Sequence, residues 1–522
     1  MAANVVVLGF DAVEATLVER WMDEGLLPTF SELARKGTSF RPANNVDLLP
    51  DSIWIELALG RRASSLGWYW RPEQVHAGEA RIRENRVEDY DLTAFWNVAS
   101  RAGRRVAVVD VPYAGPAPDL NGVLLREWGV HIPAFGLGSD PEDFVDRLLA
   151  RYGPYPFPHS PGPAYGLHVG CDSQNGSRAA LESFPAKLAE AIDLKARVLR
   201  DLLEQETWDV FVGTFSEGHC AGHQLWHFFD ETSPWHEPDA PPHLKRAVRD
   251  LYARLDERLA DVLEAAGDDA TVLVLLSHGM GPHIGGWQLL QETFVRLGYT
   301  SAASLVGSVR SRLPQPVRKV GKAVVRGLAH GELRDRLKTA AGTPLHPLEV
   351  PGMKAIPVRN GFNGAVRINL RGRDPLGSVD PGAEYERVCA DLKEAIEALH
   401  DAETGEPVVE AVVRADVAFG ADRHPNLPDL VVRFRRDRVV SSVHSERVGT
   451  VTEPARSRLM PRSGDHTPHT RLWAYGPAIP AGRTASGGHV LDLAPTVLEL
   501  LDVPRPENLE GSPLRLRERT PV

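Results

Sequence analysis

The segment Thr214-Phe215-Ser216-Glu217-Gly218-His219-Cys220-Ala221-Gly222-His223-Gln224-Leu225-Trp226-His227 carries the residues best suited to chemistry in this chain. If it is helical after Gly218, His219, His223 and His227 stand four residues apart on one face, where two imidazoles can reach one cation. The same spacing also suits a histidine-rich helix face making ordinary hydrogen bonds. Glu217 beside them could act as a base, or orient an imidazole by accepting its other N–H. Cys220 is a soft donor, but next to His219 on a helix it points elsewhere.

The elements around this segment decide where it sits. Trp208 to Gly213 is a short apolar run of buried-strand type, so the histidines follow a strand's carboxyl end. Val5-Val6-Val7-Leu8-Gly9-Phe10-Asp11 is a similar run, and it ends in a carboxylate. In open α/β sheets ligands gather at the carboxyl ends of strands, which makes Asp11 a candidate metal or phosphate contact. A helix N-cap is its other reading. Ala270 to Leu276 is a third continuous apolar run, leading into Ser277-His278-Gly279.

Helical patterns alternate with these strands: Glu14 to Glu24, Thr29 to Lys36, Phe95 to Ala102, Asp140 to Arg151, Pro185 to Glu204 and Pro242 to Ala266. Further strands are expected at Arg105 to Asp110 and Gly122 to Trp128. The alternation predicts an α/β fold with a doubly wound, mostly parallel central sheet flanked by helices. Residues 1–300 would form the first part of that core and residues 348–522 its remainder. Between them, 301–347 is rich in Arg, Lys, Val and Leu and reads as a helical insertion or cap. Its basic face suits either solvent or an anionic substrate beneath a lid.

Composition narrows the function. The 522 residues are 43% hydrophobic and 25% charged, ordinary for a globular protein. A net charge of -11 argues against a nucleic-acid polymer or an anionic membrane as partner, while a bound cation could still attract a phosphate. No apolar run reaches the roughly 20 residues of a membrane span, and no secretory leader is evident. The three cysteines, Cys171, Cys220 and Cys389, are odd in number and far apart, so no disulfide framework and a cytoplasmic location are expected.

The order of motifs resembles the alkaline phosphatase superfamily, most closely its type I phosphodiesterase and nucleotide pyrophosphatase branch. The resemblance rests on Val-Leu-Gly-Phe-Asp11, Leu-Ala-Leu-Gly60, Gly218-His219-X-X-X-His223, Ser277-His278-Gly279, Gly464-Asp465-His466 and the run from Asp492 to Leu501. It implies two metal ions clamping the attacking and leaving oxygens of a phosphoryl displacement. One would be held by Asp11, a hydroxyl nucleophile, an Asp and His278. The other would be held by an Asp at the position of His219, by His223 and by His466.

Three departures touch the chemistry. Ser277 replaces the family's carboxylate, which weakens the first ion. His219 replaces another, which turns the second set into three neutral imidazoles, His219, His223 and His466. That set suits one zinc ion that brings a bound water's pKa to around 7. The family's nucleophile spacing, ten residues before Gly60, falls on Pro50. Ser52 could serve from a shifted loop, or could merely cap the following helix, and Asp51 could be a ligand or nucleophile. Without either, hydroxide on the three-histidine zinc would attack directly.

The expected function is therefore a metal-dependent phosphodiesterase-type hydrolase of a small phosphate ester or anhydride. Chemistry on a sulfate ester, phosphonate or non-phosphoryl bond, and a non-catalytic binding role, are the alternatives. His131, His227 and His283 are further candidates to line the pocket.

Overall fold

A computed structural model describes residues 3–70, 73–130, 134–157, 178–300, 350–453 and 462–516. Its main sheet has nine strands. In spatial order they are Arg483–Ala485, Thr38–Phe40, Arg471–Tyr475, Thr271–Leu276, Ala3–Phe10, Trp208–Phe215, Val106–Val109, Gly122–Arg126 and Gly138–Asp140. The five from Thr271–Leu276 to Gly122–Arg126 run parallel. Arg471–Tyr475 is antiparallel to both its neighbours, as is Gly138–Asp140 to its one.

Both faces of this sheet are covered, which explains why its strands read as unbroken apolar runs. Along the first strand Val6, Leu8 and Phe10 enter one core and Val5 and Val7 the other. Helices Ala15–Asp23, Pro28–Lys36, Arg178–Gln205 and Ala247–Ala266 pack on the first face. Ile53–Leu59, Phe95–Arg101 and Leu493–Leu500 pack on the second.

Strand register aligns the strand ends. Phe10 stands level with Phe215 on one side and Leu276 on the other. Three chain exits, at Asp11, Ser216 and Ser277, therefore emerge side by side. Backbone bonds continue past the strands: Asp11 N–H donates to Phe215 O at 2.8 Å, and Ser277 N–H to Phe10 O at 3.1 Å.

Two smaller assemblies attach here. Gly279–Pro282 pairs antiparallel with Gly464–Thr467, setting Met280 opposite His466. The strands Asn363–Ile368, Val409–Arg414 and Leu430–Phe434 do not join the main sheet. Together with Ala355–Asn360 they form a four-stranded antiparallel sheet, with its own core under helix Ala383–Glu397. The expected insertion at 301–347 and His131 lie outside the described residues.

One expectation is overturned: Cys220 is disulfide-bonded, while Cys389 is free and buried. The cysteine argument for a reducing compartment falls with it. Among the described residues no helix is long and apolar enough to cross a membrane.

Candidate metal centre

Helix Glu217–Phe229 starts directly after the Trp208–Phe215 strand, and its first two turns are buried. His219 and His223, one turn apart, bring their Nε2 atoms to 2.9 Å. The third imidazole comes from the ribbon and not from the helix: His466 Nε2 lies 2.9 Å from His219 Nε2. His227 instead faces Glu237, at 3.6 Å, and His283 bonds to Asp465.

The outer nitrogens fix what the inner ones can do. His223 Nδ1 is 2.6 Å from Gly464 O, and a carbonyl only accepts, so Nδ1 donates and the neutral ring offers Nε2 as its lone pair. His219 Nδ1 meets Asp11 Oδ2 at 2.5 Å. Burial works to raise the Asp11 carboxyl, yet its net displacement is downward, held there by His219, His278 and the Trp54 indole. The ionised carboxylate accepts, so His219 Nδ1 donates to it, and a neutral ring would offer Nε2 as its lone pair. Burial, with His278 and His219 nearby, pushes His466 well below the usual histidine range, and its Nδ1 meets no hydrogen-bond partner among the described residues.

With both rings neutral, two facing lone pairs 2.9 Å apart repel unless something positive lies between them. A neutral His466 can supply one proton at most. A tetrahedral zinc with bonds near 2.0–2.1 Å would space its nitrogens by about 3.3 Å, a few tenths beyond the present separation. His219, His223 and His466 thus form a group that could hold a metal ion.

A second group, Asp11, His219 and His278, also lies within ligand range. It shares His219 with the first. Ser277 Oγ lies 3.0 Å from His278 Nδ1 and 3.5 Å from Asp11 Oδ1, and accepts from Ala12 N–H at 3.3 Å. Burial pushes His278 down to about 4, and its Nε2 has no hydrogen-bond partner among the described residues.

The other candidates divide. Glu217 is turned away from the imidazoles: its Oε1 accepts from Tyr155 at 2.6 Å and lies 3.2 Å from the fully buried Lys195 ammonium, which also meets Asp110 at 2.8 Å. Asp51 and Ser52 stand where helix Ile53–Leu59 begins. Ser52 occupies the N-cap position, but its side chain makes no capping bond and its buried Oγ meets no hydrogen-bond partner among the described residues.

Sequence reasoning missed several residues around the site. Trp54, two residues after Ser52, donates its indole N–H to Asp11 Oδ1 at 2.7 Å. Gly9 makes room for it, since a Cβ there would come within 2.5 Å of the indole ring. Glu14 ties the ribbon to the first strand, accepting from Met280 N–H at 3.0 Å and Thr467 Oγ at 2.7 Å and meeting His469 Nδ1 at 2.8 Å. Arg462 lies 3.4 Å from His223 Nε2, and Arg436 bonds to His466 O with its guanidinium 4.3 Å over the Phe362 ring. The only early hint was a buried-type Trp beside Ser52; Glu14 and the arginines gave none, because their partners are distant in sequence.

The profile of the family "type I phosphodiesterase / nucleotide pyrophosphatase" matches residues 67–456. That range contains His219, His223 and His278, whereas Asp11, Ser52 and His466 fall outside it. Murine ectonucleotide pyrophosphatase / phosphodiesterase 5 is 13% identical, with 98% of this chain and 97% of that one covered, at a TM-score of 0.48. An inactive form of the murine protein was solved with AMP. Phosphonoacetate hydrolase from Sinorhizobium meliloti 1021, in complex with phosphonoformate, is 12% identical over 96% of each chain, with a TM-score of 0.47. No curated protein matches. With its profile spanning well over half the chain, this protein belongs to the type I phosphodiesterase / nucleotide pyrophosphatase family and is a hydrolase acting on phosphoester-type bonds.

Proposed function

We propose that the chain hydrolyses a phosphate ester or anhydride of a small molecule with a zinc ion held by His219, His223 and His466. The observation that carries this reading is the convergence of the three Nε2 atoms, two of them with the outer nitrogen pinned by an acceptor. A bound zinc would polarise a phosphoryl oxygen and acidify water beside it. The chain's own residues supply the rest. Arg462 and Arg436 set positive charge beside His223 and His466, which suits an anionic phosphoryl group on an otherwise acidic protein. Water attacks directly, without a covalent intermediate. Pro50 stands at the family's nucleophile spacing, and no base touches Ser52 Oγ among the described residues. Glu217 is committed to Lys195 and Tyr155, so it is no base for that water.

The test compares bis-p-nitrophenyl phosphate, p-nitrophenyl phosphate and p-nitrophenyl sulfate on protein that is zinc-loaded, chelator-treated and reloaded. The diester should be cleaved fastest, with activity lost on chelation and restored by zinc. Rates indifferent to chelation would remove the metal from the reading, and a preference for the sulfate would remove the phosphoryl substrate.

A further inference from the structure

We infer that the chain holds a single ion and that Asp11 is not one of its ligands but the residue that orients His219. This rests on the three-histidine site proposed above. The 2.5 Å contact between Asp11 Oδ2 and His219 Nδ1 is that of a carboxylate accepting from an imidazole, about 0.8 Å shorter than the separation of two ligands on one zinc ion. The other oxygen, Oδ1, is engaged by the Trp54 indole at 2.7 Å, with Ser277 Oγ at 3.5 Å.

His219 cannot serve both groups in its neutral form. It turns Nε2 toward His223 and His466, and Nδ1 carries the proton given to Asp11. Binding a second ion at Nδ1 would require stripping that proton as well. What would remain for the second ion is His278 and a serine in place of a carboxylate. Asp11 thus acts as a hydrogen-bond acceptor behind an imidazole. In that place it fixes the ring's tautomer and raises the basicity of Nε2. Trp54 and Gly9 are part of the same device. The glycine admits the indole, and the indole holds the carboxylate against rotation.

The experiment titrates zinc into the full apo chain against a chromogenic chelator, for the wild type, Asp11→Asn and Trp54→Phe. One equivalent is expected in all three. Affinity should fall roughly 10- to 100-fold in Asp11→Asn, the usual cost of losing a carboxylate behind a ligating imidazole, and by less in Trp54→Phe. Circular dichroism of the apo proteins checks folding, and Trp54→Phe keeps the test alive if Asp11→Asn fails to fold. Two equivalents in the wild type, one of them lost in Asp11→Asn, would make Asp11 a ligand and overturn the inference. Unchanged affinity in both variants would overturn it too. One equivalent with the expected weakening but no hydrolysis of bis-p-nitrophenyl phosphate leaves the inference standing and removes the functional reading; two equivalents with hydrolysis does the reverse.

Discussion

Replacing Glu56 by glutamine should make the protein more stable at alkaline pH and change it little at pH 5. Glu56 is fully buried in helix Ile53–Leu59, the element that carries Trp54. Its Oε1 accepts from Asn45 at 2.8 Å and from Ala63 N–H at 3.1 Å, while Oε2 meets no hydrogen-bond partner among the described residues. Burial pushes the carboxyl from 4.5 up to about 7 against these two donors. The folded state therefore holds a proton that the unfolded chain releases earlier. The stability this group permits is fully present below pH 4.5 and is lost as pH rises through about 7.

At about 1.4 kcal/mol for each tenfold change in acidity, the displacement corresponds to a loss of about 3 kcal/mol by pH 8, less than a third of it already incurred at pH 5. A glutamine side chain has the same shape, keeps an oxygen for both donors and never ionises. Urea unfolding of the wild type and Glu56→Gln in chelator, at pH 5, 6, 7 and 8, gives the difference in stability at each pH, and titrations common to both cancel. The difference should grow by about 2.5 kcal/mol from pH 5 to pH 8 in favour of the variant. A difference that stays flat within about 0.5 kcal/mol would mean that Glu56 ionises without penalty, and the reasoning from burial would be wrong.

Other substitutions probe the site and its supports. A Cβ at Gly464 would collide with the backbone carbonyl of Gly222, so Gly464→Ala should push the ribbon off the histidine helix and weaken zinc binding at least about tenfold in a chelator competition; undiminished affinity would show that His466 is not a ligand. Ser52→Ala should keep kcat/KM within about tenfold, whereas a loss beyond about a thousandfold would establish the hydroxyl as the nucleophile. Lys195→Ala leaves Asp110 and Glu217 buried without their cation and should cost about 3–5 kcal/mol in urea unfolding; a cost below about 1 kcal/mol would mean that water or protons already neutralise the pair.

How much was legible in the sequence depended on range. The strands through Val7, Val212 and Leu273 declared themselves because a strand buried on both faces must be apolar throughout. Asp11, His219 and His278 followed, since each sits one to four residues beyond such a strand. His466 was placed only by family resemblance. Its position depends on a four-residue ribbon whose pairing with Gly279–Pro282 leaves no local periodicity. Glu217 illustrates the converse error: adjacency in sequence suggested service to the histidines, but helical geometry turned it toward Lys195. The separate sheet at 355–434 was invisible for a related reason, because runs of Val and Leu announce a strand without naming its partner.

The antiparallel ribbon also sets an order of events for the newly made chain. Asp11 and His219 are 208 residues apart, and His219 and His466 a further 247. Contacts of such span form late, after loop closure and after much of the sheet has condensed. During synthesis the helix pair His219 and His223 leaves the ribosome long before His466 does. The growing chain therefore offers only a weak two-imidazole ligand over the 241 residues that separate His223 from Gly464. On the proposed three-histidine site, tight retention of zinc would begin when the ribbon zips, so zinc retained through a desalting column would count the molecules whose C-terminal quarter has docked.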